Sequence, residues 1–195
     1  LHTDDLVAAY LIPSDGMTNP TDTTQALAKG ARNGGVKIIE TVQATEILTE
    51  NGRAVGALTD QGRIDAEVVV VCAGMWTREL CAPLGVDVPL HAAEHYYIVT
   101  RPMEGVVRNQ PVIRDMDGCI YIKEEVGGLL LGGFEPNAKP WGMAGIPDGF
   151  EFQALPEDWD QFEFFMNTGL ERIPALAEAE IRQLFVGPES FTPDN

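Results

Sequence analysis

The run VVVVCAGMW, Val68 to Trp76, constrains the fold of this chain more than any other stretch. Four β-branched residues without polar alternation predict a strand covered on both faces, the pattern of a central strand in an α/β sheet. Ala73 and Gly74 then remove side-chain bulk where the backbone must turn, and Gly74 tolerates positive φ. In an open α/β sheet ligands lie at the carboxyl ends of strands, so a flat or phosphorylated group approaching this turn is one reading. An ordinary tight strand-to-helix turn is the other.

The surrounding segments extend the same architecture. NPTDTTQALAKGARNGG predicts a helix beginning near Pro20 to Thr23 and stopped by Gly34 and Gly35, followed by a buried strand over Val36 to Glu40. Asn51-Gly52 and Gln61-Gly62 lie between apolar-polar alternations, so Ala44 to Glu67 reads as an antiparallel hairpin excursion. A short helix from about Thr77 to Pro83 follows. Beyond Pro89 the texture shifts to the apolar, aromatic strands HYYIVT, CIYIKEE and GLLLGGFEP, which predict an antiparallel sheet with one face toward something buried. A helix is expected from Glu157 to about Arg172, with Trp159, Phe162, Phe165 or Met166, and Leu170 packing into the core. The fold class expected is therefore mixed α/β.

Charge and composition narrow the function. A net charge of −17 across 195 residues disfavours nucleic acid and anionic membranes as partners. No apolar stretch reaches spanning length and the amino end has no signal-peptide core, which predicts a soluble protein. Cys72, Cys81 and Cys119 are an odd, widely spaced set, expected as reduced, buried thiols in a reducing compartment. No His, Cys or carboxylate set has metal-ligand spacing, and neither GxSxG, a Walker loop nor GxGxxG occurs.

Two side chains could carry chemistry. His95 is expected to open the strand His95 to Thr100, from where an imidazole titrating near neutrality can reach a cleft; a satisfied core histidine is the alternative. Tyr121, on a neighbouring predicted strand, can present its hydroxyl to the same space or merely pack its ring.

The order of these elements, with NPTDTTQALAKGAR, the AGMW turn, EHYYIVT, GFEPNAKPW and the closing GPESFTPD, resembles the middle of a flavoprotein of the D-amino-acid oxidase superfamily, dimethylglycine/sarcosine dehydrogenase branch. The resemblance covers about Tyr10 to Asp194. It implies part of a glutathione-reductase-type FAD-binding domain (residues 20–84, and 181–195 on return) interleaved with an antiparallel-sheet substrate domain (residues 85–180, introduced by 1–19). It also implies FAD-dependent oxidation of a small N-methylated amino acid, with hydride passing from the N-methyl carbon to flavin N5 and an iminium product. His95 would bind or polarise the substrate carboxylate and influence amine protonation, and Tyr121 would hydrogen-bond the substrate. Ala44 matches a main-chain contact to adenine, Ala73, Gly74 and Trp76 the turn beside the dinucleotide, and Pro193 and Asp194 the loop approaching the flavin.

The family's amino-terminal GxGxxG turn, the histidine that carries covalent flavin in many relatives, and the downstream tetrahydrofolate-binding region have no counterpart in these residues. The resemblance therefore implies an internal part of a longer enzyme, inactive alone. The electron acceptor would be oxygen or an electron-transfer flavoprotein, and the location the cytoplasm, or the mitochondrial matrix in a eukaryote. A glycine oxidase or glycerol-3-phosphate dehydrogenase relative, and a non-catalytic domain binding a small ligand or partner subunit, are the competing readings. A phosphate-bearing substrate would call for clustered Arg and Lys, of which this acidic chain has few.

Overall fold

The computed structural model describes residues 1–194, which form two compact units: Leu1–Met17 with Ala92–Glu189, and Thr18–His91 with the segment from Ser190. The second unit opens with α1 (Pro20–Asn33). Asn19 caps it by accepting the Asp22 N–H at 3.0 Å, and the Gly34 N–H closes it by donating to the Gly30 carbonyl at 3.1 Å. Strands β1 (Ala44–Glu50), β2 (Arg53–Thr59) and β3 (Gly62–Asp65) form an antiparallel three-stranded sheet in that order. The first turn is Asn51-Gly52 with φ of 51° and 75°, the doubly left-handed geometry that selects this dipeptide. The short helix α2 (Thr77–Cys81) runs into a 3-10 turn over Ala82–Leu84, so the helix expected to Pro83 tightens at its end.

Two expected strands of this unit do not form. Val36 to Glu40 and Val68 to Val71 have no ladder, because no described strand lies beside them to accept and donate main-chain hydrogen bonds. Their side chains are exposed accordingly, Val68 by 74% and Val70 by 78%. The cysteines are all free, but only Cys81 is buried; Cys72, which follows the valine run, is exposed with it.

The first unit is built on a five-stranded sheet in the order β5-β6-β7-β4-β8, from β4 (His91–Thr100), β5 (Ile113–Asp115), β6 (Ile120–Glu125), β7 (Gly128–Gly133) and β8 (Ile181–Phe191). The β5/β6, β6/β7 and β4/β7 pairs are antiparallel. Helix α3 (Trp159–Arg172) starts at the cap Asp158, whose side chain accepts the Gln161 N–H at 3.0 Å, and packs on β6 and β7. Phe162 and Phe165 from the helix are fully buried with Tyr96, Ile98, Ile120, Ile122 and Leu131 from the sheet; Trp159, at the start of the expected stripe, stays exposed. Arg172 ties the amino-terminal segment to this unit by donating from both terminal nitrogens to Asp5 at 2.9 Å while its Nε donates to Asp115 at 2.8 Å.

Strand β4 begins four residues earlier than expected, at His91. The segment after β7 supplies its partner: the Glu94 N–H donates to the Lys139 carbonyl at 2.9 Å, and the Trp141 N–H to that of Ala92 at 3.0 Å. His95 is consequently a mid-strand residue, not the head of the strand.

Candidate functional site

Strand alternation divides the five-stranded sheet into two faces. Tyr96 and Ile98 on β4, and Ile120 and Ile122 on β6, point into the core under α3, so His95, Tyr97 and Tyr121 occupy the opposite face. Register places Tyr121 and Tyr97 on either side of Gly132, the cross-strand partner of both. A Cβ on Gly132 would fall 2.4 Å from the Tyr121 Cζ and hydroxyl oxygen, so the missing side chain is what lets that ring lie across β7 toward β4. The result is a contact of 3.1 Å between His95 Nε2 and the Tyr121 hydroxyl.

Aromatic rings complete the wall. Phe134 lies tilted against His95 and Tyr121, with centroids 5.6 and 5.7 Å away, and Phe185 stacks on Tyr97 at 4.9 Å. Together with Gly187, Pro188 and Glu189 these side chains line a pocket of about 390 Å³, the size of a small-molecule site with few polar groups.

The polar groups behind that wall are acidic. His95 Nδ1 stands 3.4 Å from one oxygen of Glu135 and 3.4 Å from one of Glu189. Glu135 has a side chain only 2% exposed, whereas that of Glu189 is 46% exposed at the rim. Burial alone would lower the imidazole's pKa, but the Glu135 hydrogen bond and charge, reinforced by Glu189, outweigh it and hold it above the ordinary histidine value. The Tyr121 hydroxyl is pushed up to about 12 by burial and then by the charges of Glu189 and Glu135, so it remains a neutral phenol across the physiological range. The other oxygen of Glu135, Oε1, is buried with no hydrogen-bond partner among the described residues.

His95 and Tyr121, paired from separate sequence segments, are thus brought together in the first unit. Ala44, Ala73, Gly74, Trp76, Pro193 and Asp194 all belong to the second. Ala44 opens β1, exposed and paired with Thr59. Gly74 takes φ of 53° and has open space where a Cβ would stand, and it leads a 3-10 turn through Trp76, which is partly exposed. Pro193 and Asp194 are exposed beyond β8. Among the described residues no three His, Cys, Asp or Glu side chains cluster as a metal site, and no helix is long and apolar enough to cross a membrane.

Sequence reasoning missed Glu135, Glu189, Tyr97 and the two phenylalanines. Tyr97 was recoverable, since it lies two residues from His95 and must share its face. Glu135 carried a weaker signal: it is the lone charge ending the apolar run GLLLGGFEP.

Residues 1–195 match the protein family described as DAO, FAD dependent oxidoreductase. Among curated proteins, the chain is 42% identical to the mitochondrial pyruvate dehydrogenase phosphatase regulatory subunit of Mus musculus, over the whole chain and 22% of that protein. It is 40% identical to 4-methylaminobutanoate oxidase (formaldehyde-forming) of Paenarthrobacter nicotinovorans, over 97% of the chain and 23% of that protein. With human mitochondrial sarcosine dehydrogenase it shares 34% identity over the whole chain and 22% of that protein. The chain thus spans less than a quarter of the length of these relatives. Among solved structures, L-proline dehydrogenase from P. horikoshii superposes with a TM-score of 0.76 at 24% identity, over 93% of this chain and 46% of that one, a likeness of fold.

Proposed function

Because this chain belongs to the DAO family of FAD-dependent oxidoreductases, we propose that it is the pocket-bearing part of a flavoenzyme that oxidatively demethylates a small N-methylated amino acid of the sarcosine or dimethylglycine type. The observation that carries this reading is the 3.1 Å contact of His95 with Tyr121 in an aromatic-walled pocket sized for such a molecule. Two relatives, 4-methylaminobutanoate oxidase and sarcosine dehydrogenase, are named for methylamino acids.

In this reading the unit containing His95 is the substrate domain and the other is part of the FAD-binding domain. The turn of Ala73, Gly74 and Trp76, with Gly74 open at its Cβ position, would hold the dinucleotide, the Ala44 main chain would contact the adenine, and Pro193 and Asp194 would contribute on the flavin side. FAD, when bound, supplies the acceptor for the hydride leaving the N-methyl carbon.

The chain's own residues bind and orient. The substrate carboxylate accepts a hydrogen bond from the Tyr121 hydroxyl and is polarised by His95 behind it. His95, held toward its protonated form by Glu135, supplies the positive charge that an acidic pocket otherwise lacks, and it influences the protonation of the amine, whose lone pair must be free for the C–H bond to break. Phe134, Tyr97 and Phe185 exclude water and give the methyl groups an apolar surface. The electrons pass on to oxygen or an electron-transfer flavoprotein. The location is the cytoplasm of a bacterium or the mitochondrial matrix of a eukaryote.

The 42% identity to a regulatory subunit favours one competing reading, a pocket kept for binding without turnover. Absorbance of the full-length protein separates the two. The demethylase reading expects a flavin spectrum that sarcosine or dimethylglycine bleaches in the absence of oxygen; a protein that binds these amines without bleaching is a binding module.

A further inference from the structure

We propose that Glu135 is a positioning residue that acts through His95, fixing the direction of the hydrogen-bond chain Glu135–His95–Tyr121 so that the Tyr121 hydroxyl points its hydrogen into the pocket and selects a carboxylate ligand. This rests on the reading of the pocket as a site for a small carboxylic acid, and it assigns the choice of that acid's charge to a residue that does not touch it.

A carboxylate only 2% exposed is costly as an anion unless a cation or several donors face it. Glu135 has one contact of that kind among the described residues, His95 Nδ1 at 3.4 Å, and its Oε1 has none. Phe134, the residue before it, is anchored by its N–H to the Cys119 carbonyl at 2.8 Å, and the bridge of Pro140 to Ala93 ties the chain after it. Glu135 is thus confined at both ends and committed to His95.

The hydrogen positions then follow. With Nδ1–H donating to Glu135, a neutral His95 has a bare Nε2 that accepts the Tyr121 hydroxyl hydrogen, and the phenol shows the pocket only lone pairs. A doubly protonated His95 instead donates from Nε2 to the phenol oxygen, and the hydroxyl hydrogen is free for a ligand. The first state repels a carboxylate; the second binds one. Glu135 favours the second, because its buried charge is compensated only when the ring carries both protons.

Other groups face this chain. Glu189 on β8 stands as close to Nδ1 as Glu135 does, but its 46% exposure screens it. Tyr97 on β4 is neutral, with burial and then Glu125 raising its pKa. Arg114 on β5, the cross-strand partner of Tyr121, shares its sheet face and places its guanidinium 4.5 Å from the Phe134 ring centre.

The test is the pH dependence of methoxyacetate affinity, a carboxylate with no oxidisable amine, measured by calorimetry on the full-length wild-type protein and on Glu135→Gln, Glu135→Asp and Glu189→Gln. Wild-type affinity is expected to be constant at low pH and to fall about tenfold per unit above the His95 transition. Glu135→Gln, isosteric but uncharged, should move that break down by roughly one unit or more, so that affinity above the wild-type break is lower by about tenfold. Glu135→Asp should keep most of the wild-type profile, and Glu189→Gln should shift it less than Glu135→Gln does. FAD content and melting temperature of the Gln variant report its fold.

Unchanged break points in a folded Glu135→Gln protein would overturn the proposal, as would wild-type protein that fails to bind methoxyacetate at any pH. If methoxyacetate binds with the expected profiles while sarcosine and dimethylglycine leave the flavin oxidised, the relay stands and the demethylase reading falls.

Discussion

Two kinds of apolar run in this chain meet opposite fates. GLLLGG becomes β7, flanked by β6 and β4 and covered by α3, with Leu131 fully buried. VVVV and VKIIE are far richer in β-branched residues, yet they form no ladder and leave Val36, Ile38, Ile39, Val68 and Val70 exposed. The difference lies in partners, not in propensity. A strand needs neighbours for its main-chain groups, and the described residues supply them in one unit and not around these two segments.

The largest effect is expected on the covered side. Phe165→Ala removes a fully buried ring where α3 meets β7 and should cost about 3–5 kcal/mol in urea unfolding; a loss below about 1 kcal/mol would mean that α3 does not cover the sheet as described. Gly132→Ala tests the opposite face of the same strand. Its methyl group would meet the Tyr121 ring, so a destabilisation of about 1–3 kcal/mol is expected, together with weaker methoxyacetate binding as the hydroxyl is pushed from His95.

Tyr121→Phe keeps the ring and removes one hydrogen bond to the ligand. It should raise the dissociation constant for methoxyacetate about tenfold with little change in stability, and equal loss of both would make the hydroxyl structural. The smallest effect is expected on the uncovered side. Val70→Thr in the 195-residue chain should change stability by less than about 0.5 kcal/mol, because the side chain is 78% exposed. For the same substitution in the full-length protein, a cost above about 1 kcal/mol would show that further residues cover this run.

The His95 cluster also predicts a stability trend. Its pKa is held above the unfolded value, so the stabilisation is fully present below the ordinary histidine pKa and is lost as pH rises through the folded one. Thermal unfolding on the two sides of that transition should show this loss in wild type and not in His95→Ala.

Much of the fold was legible because the informative residues act locally. Asn51-Gly52 fixes its turn by backbone geometry alone, Asn19 and Gly34 bracket α1 with their own hydrogen bonds, and the period of Phe162 and Phe165 finds the core under any cover. The valine runs misled because strand formation depends on a partner that the local pattern cannot report. His95 and Tyr121 were found as separate candidates, but their contact needed the β6-β7-β4 register and the absent side chain of Gly132. Glu135 was the hardest to see, since a glutamate beside a proline at a strand end is ordinarily a solvated loop residue. The anchoring of Phe134 to Cys119 and the return of Lys139 to Trp141 onto β4 hold it beside His95.

The proposed function gives His95 and Tyr121 a direct part in substrate oxidation. Its most direct test is the rate of anaerobic flavin reduction by sarcosine or dimethylglycine in the full-length protein, wild type against His95→Ala, with flavin content measured on the same samples. The account predicts a fall of about 100-fold in rate with flavin content unchanged. Equal loss of both, or reduction as fast as wild type, would contradict it.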